Sequence, residues 1–201
     1  MIDYLKTLLN IFKHYHLYSI PIIFNELFFY FKHDKFLNKI KIYKSNSLSN
    51  SIPCPYFFLK IINKFIKKKN INYLCDLGSG YGKILYFFGK LSKYKIDGVE
   101  INNEIFKKSK ILENQNIRII NDNILYFDLN NNEYDLFILN DPLKQLDDLR
   151  MLINKLSNLQ YNCYIVLINM TLEKADIVKQ NLKVIQIYKI SSTKNIYFCT
   201  N

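Results

Sequence analysis

Three of the five glycines in this 201-residue chain fall within five residues, in the run Asp76-Leu77-Gly78-Ser79-Gly80-Tyr81-Gly82. Glycines this closely spaced give a tight turn and let the backbone approach a ligand. The run follows a short apolar segment, Tyr73–Leu77, and opens a helical pattern at Lys83. Amide groups at the start of that helix then face the bound group. The spacing is G-x-G-x-G, unlike the G-x-G-x-x-G of dinucleotide sites. Asp76 stands where a diphosphate would be repelled and a positive charge or amino group welcomed.

Further acids fall at the ends of later apolar segments. Glu100 lies 18 residues after Gly82, where a carboxylate can accept both hydroxyls of a ribose. Asp122 follows a third segment, and the step Asn140-Asp141-Pro142 follows a fourth. Ile101 and Ile124 are placed to wall an adenine. A ligand with an amino-acid tail, a cationic centre, a ribose and an adenine satisfies all of these features. S-adenosylmethionine has them.

The elements that must position these residues alternate. The first is a helix with apolar residues at 58, 59, 61, 62, 65 and 66, covering about residues 55–69. Strands are expected at 73–77, 96–100, 117–120, 134–139, 161–168, 184–190 and 195–200. Helices are expected at 83–91, 102–113, 146–159 and 172–182. Near-continuous apolar strands alternating with helices predict a parallel sheet covered on both faces. Ser191–Lys194 is too short for a parallel crossover, so the last two strands should pair antiparallel. Residues 1–40 read as helical with an interruption at Pro21, and residues 43–52 as a Ser/Asn-rich loop.

Four segments resemble the motifs of class I S-adenosylmethionine-dependent methyltransferases. LCDLGSGYGKI at 74–84 is similar to the glycine motif and IDGVEIN at 96–102 to the acidic-loop motif. IINDNILYFD at 119–128 is similar to the motif whose acid lies near the adenine amino group, and YDLFILNDP at 134–142 to the one beside the methyl group. The resemblance covers about residues 50–201. It implies a three-layer Rossmann-like α/β fold with strand order 3-2-1-4-5-7-6 and an antiparallel closing strand. Residues 1–50 would be a helical extension and loop, and residues 51–201 the methyltransferase domain.

By the same resemblance, Asp76, Gly78, Ser79, Gly80, Tyr81 and Gly82 surround the methionine end of the cofactor. Glu100 holds the ribose, with Ile101 beside it. Asp122, Asn123 and Ile124 lie at the adenine, and Asn140 with Asp141 at the sulfonium and the incoming nucleophile. Either Asn140 or Asp141 could accept a hydrogen bond from an attacking amine. The family often has Asp or Cys in place of Ser79 and a smaller residue than Tyr81. The Asn/Asp-Pro-Pro-Tyr/Phe run of amino-group methyltransferases is here Asn140-Asp141-Pro142-Leu143, without the second proline or the aromatic. GVEIN followed by FKKSKILEN, with SNSIPCPYF at 49–57, is similar to lysine methyltransferases of the Dot1 type and their bacterial relatives. That likeness ranks a protein lysine amine first as acceptor, a small molecule next and RNA or DNA third. A cofactor-binding scaffold without catalysis and a nicotinamide oxidoreductase are the competing classes.

Composition narrows the rest. Lys, Asn, Ile, Tyr and Phe make 112 of the 201 residues, and there are two Arg. This bias weakens any argument from lysine count. The net charge is +11; residues 1–70 hold 12 Lys against 3 acids, a basic excess ahead of the motifs. No nucleic-acid-binding motif accompanies it. Tyr56 and Phe57 read either as closing over the cofactor or as facing the core; Tyr126 and Phe127 read as packing beside the cleft. Leu17–Phe31 is 15 residues long and interrupted by Pro21, Asn25 and Glu26. It is short for a bilayer span. It reads first as a helix packed on the domain and second as a peripheral membrane-surface helix. Four cysteines without a CxxC pair, three histidines near the N-terminus and no export signal point to a cytoplasmic protein without a metal centre.

Overall fold

A computed structural model describes residues 12, 19–32, 37, 51–91, 93–130, 133–190 and 195–201. The chain begins with α1 (Ser19–Lys32) and α2 (Tyr56–Ile66), then β1 (Tyr73–Leu77), α3 (Lys83–Gly89) and β2 (Lys95–Val99). It continues through α4 (Asn103–Ser109), a 3₁₀ turn (Lys110–Leu112), β3 (Ile117–Ile120), β4 (Leu136–Asn140) and α5 (Leu146–Ser157). The closing elements are β5 (Tyr164–Met170), α6 (Leu172–Asn181), β6 (Lys183–Lys189) and β7 (Asn195–Thr200).

The seven strands lie in the order β3-β2-β1-β4-β5-β7-β6. β1, β2, β3, β4 and β5 are parallel, and β7 runs antiparallel to both β5 and β6. This is the topology expected from the strand pattern and the family resemblance.

Alternate residues of each central strand feed two apolar layers. Leu74, Ile96, Leu136, Ile138, Val166 and Phe198 pack under α2 and α3. Cys75, Leu77, Phe137, Leu139, Ile165 and Leu167 pack under α5 and α6. Burial on both faces explains why these strands read as continuous apolar runs. β6 is the edge strand, mostly exposed and flanked by Lys183 and Lys189, charges that discourage further pairing.

Several boundaries differ from expectation. β4 begins at Leu136, because Tyr134 turns its hydroxyl to Asp97 (2.6 Å) and Asp135 caps the Asn72 and Tyr73 amides. β5 begins at Tyr164, not at Tyr161, whose hydroxyl bonds to the Leu129 carbonyl. Pro21 lies in the first turn of α1, where its missing N–H has no intrahelical partner to lose; residues 13–18, on the side where an interruption at Pro21 would fall, lie outside the described residues. His14, His16, His33 and residues 43–50 of the expected loop lie outside the described residues.

α1 packs on α2, and Ile22 joins the apolar core. Ile20, Phe24 and Phe28 face outward. Among the described residues no helix is long and apolar enough to cross a membrane.

Ile138 is fully buried at the centre of the sheet. Ile138→Ala should lower unfolding stability by roughly 2–5 kcal/mol, read as a shift in urea midpoint at unchanged slope.

Candidate functional site

The chain crosses from β3 to β4, on the other side of β1, and so creates a crevice at the carboxyl ends of the strands. Open α/β sheets bind ligands at this switch point. A cleft lies there, lined by the loops after β1, β2, β3 and β4 and by Leu37 and Ser51–Cys54.

The glycine loop forms its floor. Gly78, Gly80 and Gly82 all have positive φ (90°, 54° and 82°), a region open to glycine at little cost. The Gly78 and Ser79 amides donate to the Val99 carbonyl at 3.0 and 2.9 Å, folding the loop onto β2. A Cβ on Gly78 would stand 2.8 Å from Pro142 Cβ, and one on Gly80 2.7 Å from Ser51 Oγ. The loop is thus gripped between the end of β4 and the chain ahead of α2.

Asp76 ends fully buried beneath this loop. Neither of its carboxylate oxygens has a hydrogen-bond partner, and the buried hydroxyl of Ser79 is also unpartnered. A buried polar group without a partner costs roughly 1–3 kcal/mol. Burial pushes the Asp76 carboxyl well above the usual carboxylate range, and nearby Glu100 adds to the shift. Glu100 is itself buried, and its two oxygens accept from the Gly80 amide (2.9 Å) and the Asn102 amide (2.8 Å). It ties the glycine loop to the end of β2.

Nine of the expected site residues line the cleft: Gly78, Ser79, Gly80, Tyr81, Glu100, Ile101, Asn123, Ile124 and Asn140. Asp76 lies below them. Gly82 caps α3. Asp122 is exposed and accepts from the Asn123 amide at 2.6 Å. Tyr56 is buried, with its ring 4.2 Å from Lys83 Nζ, and so belongs to the core. Tyr126 is exposed, contrary to the packing expected of it, whereas Phe127 is buried.

The structure separates the pair at the end of β4. The Asn140 side chain lines the cleft, donating to the Ile52 carbonyl (3.1 Å) and accepting from Asn169 Nδ2 (2.8 Å). Asp141 adopts φ 47° and pairs with Lys174, which also donates to the Leu143 carbonyl at 2.6 Å. Asp141 is absent from the cleft wall among the described residues. Asn140 is therefore the member of the pair that a ligand in the cleft can meet.

Sequence reasoning missed Lys83, Ser51–Cys54, Leu37, Pro142 and Leu143 in the wall. SNSIPCPYF at 49–57 contains the segment ahead of α2, but nothing local marked Lys83. Cys54 is no nucleophile here: burial pushes its thiol far up, and a protonated thiol reacts poorly. Among the described residues no group of His, Cys, Asp and Glu could hold a metal ion.

No family model and no curated protein sequence matches the chain. Solved structures do. The methyltransferase domain of the bacterial protein CtHen1 superposes with a TM-score of 0.58 at 14% identity, over 72% of this chain and 97% of that one. Magnesium protoporphyrin IX methyltransferase from Synechocystis PCC 6803, with bound S-adenosylmethionine, gives 0.56 at 12% identity, over 71% and 76%. A putative O-methyltransferase from Nostoc punctiforme PCC 73102 gives 0.60 at 11% identity, over 72% and 56%. The chain has the class I S-adenosylmethionine-dependent methyltransferase fold. At these identities the likeness is one of fold.

The residues present fit the cofactor of that fold. Glu100 and the apolar walls Ile101 and Ile124 line one cleft, and the unpartnered acid Asp76 lies buried beneath its glycine loop.

The raised Asp76 carboxyl has a pH signature. Folding favours its neutral form, so its contribution is fully present below the ordinary Asp value. That contribution is lost as pH rises towards the folded value. Thermal stability of the ligand-free protein should fall as pH rises above about 4, with a shallower fall in Asp76→Asn. Parallel slopes in the two proteins would show that Asp76 ionises freely.

Proposed function

We propose that this protein transfers a methyl group from S-adenosylmethionine to a small-molecule acceptor. The observation that carries the cofactor is Asp76: a buried carboxylate pair of oxygens without a donor, at the end of the central strand under a glycine loop. A cationic amino group is the partner it lacks.

Bound in this cleft, the cofactor would supply a methyl group already activated by its sulfonium charge. The chain's own residues then bind, orient and exclude water. Asp76 meets the ammonium group of the amino-acid tail, and Lys83 brings a cation to the same end of the cleft. Glu100, at the end of β2 and held by the Gly80 and Asn102 amides, accepts from the ribose hydroxyls. Ile101 and Ile124 flank the adenine, with Asn123 at its edge. Asn140 Oδ1, fixed by Asn169, keeps one lone pair for a proton on the acceptor. Holding the reacting groups in one geometry is the main catalytic contribution such a site makes.

Two observations support a small acceptor. Ser51–Cys54 lines the cleft between the glycine loop and the end of β4 and narrows the approach to Asn140. Two of the similar structures carry names for small-molecule or oxygen methylation. The protein lysine amine implied by the Dot1-type resemblance ranks behind it, as does RNA.

The test is transfer of a labelled methyl group into the metabolite, protein and RNA fractions of a cell extract. Label should enter the low-mass fraction. Label on protein lysine or on RNA would overturn the acceptor class while leaving the cofactor reading in place. Gly80→Arg should cut incorporation at least about a hundredfold, because a long side chain at positive φ strains the turn and meets Ser51. Retained incorporation in that variant, shown to be folded, would contradict the site.

A further inference from the structure

Glu26 belongs to α1, outside the segment that carries the four motifs, yet its side chain is buried. One carboxylate oxygen accepts from the Tyr56 amide at the start of α2. The other accepts from Lys83 Nζ at 2.6 Å. Lys83 opens α3 directly after the glycine loop and lines the cleft. A single carboxylate thus ties the first residue of α2 to the first residue of α3.

Ser51–Cys54 runs just ahead of α2, and all four of these residues line the cleft. At one end Ser51 lies against Gly80. Next to it the Ile52 carbonyl accepts from Asn140 Nδ2 at 3.1 Å. The segment therefore spans the cleft from the glycine loop to the end of β4. Its carboxyl end leads through Pro55 into Tyr56, whose amide Glu26 holds. A buried ion pair is a poor way to gain stability: apolar replacements of similar volume often do better. This buried pair reaches the cleft through Lys83, so it fixes the entry to α2 against the glycine loop.

We propose that Ser51–Cys54 is a strap that opens for the cofactor to enter and leave, and that Glu26 is the positioning residue that holds it shut. The inference rests on the cofactor reading above. It makes the N-terminal helix part of the cofactor site, and it sets product release from a residue outside the motifs.

The full-length protein is loaded with labelled S-adenosylhomocysteine and chased with excess unlabelled ligand. Glu26→Ala should release it at least about tenfold faster, with association no slower than in wild type. Glu26→Gln keeps a carbonyl acceptor for the Tyr56 amide and should recover most of the slow release. Pro53→Gly leaves the ion pair intact and loosens the strap itself. It should speed release as well, and it carries the test if Glu26→Ala does not fold. Wild-type release from folded Glu26→Ala and Pro53→Gly would overturn the strap. So would a loss of bound ligand with unchanged release, which is what a merely structural role predicts. Failure of folded wild-type protein to bind S-adenosylhomocysteine would instead overturn the cofactor reading, and this inference with it.

Discussion

An ionisable carboxyl group is buried without a donor at the carboxyl end of the central strand, and the surrounding structure is arranged about it. Asp76 sits on β1, flanked by β2 and β4, beneath a loop of three left-handed glycines. Burying such a group without a hydrogen-bond partner costs free energy. The neutral form, favoured by burial, limits that cost. The two apolar layers on either side of the sheet supply the rigidity that holds the group in place.

The glycine loop is fixed from three directions. Val99 takes two of its amides, Glu100 takes a third, and Pro142 stands where a Gly78 side chain would be. The end of β4 is fixed in a similar way. Asn169, itself at φ 63°, orients Asn140, and Lys174 draws Asp141 aside. Non-glycine residues at positive φ are costly, and they persist where the surroundings over-determine them. Both occur here beside the cleft. The N-terminal extension is joined to this frame through Ile22 in the core and Glu26 at the cleft.

Much of the fold was legible because its signals are local. Strands buried on both faces read as apolar runs, and four residues between the last two strands left no room for a crossover. The glycine loop and Glu100 were legible because they follow strands directly. Lys83 with Glu26 was not: the pair is 57 residues apart in sequence, and a lysine in a lysine-rich chain carries no mark. Asn169 and Lys174 were hidden for the same reason, lying 29 and 33 residues from their partners. The different placement of the Asn140 and Asp141 side chains depends on a backbone turn at positive φ that the side-chain types alone do not reveal. Tyr126 was misread because aromatic character does not tell which face of a loop meets solvent.

The central claim is that this cleft holds an adenosyl amino acid and not a dinucleotide. Calorimetric titration of the purified protein with S-adenosylhomocysteine, with NAD as the control, tests it most directly. S-adenosylhomocysteine should bind at micromolar or tighter affinity, and NAD should not bind. Folded protein that binds NAD, or that binds neither ligand, would contradict it.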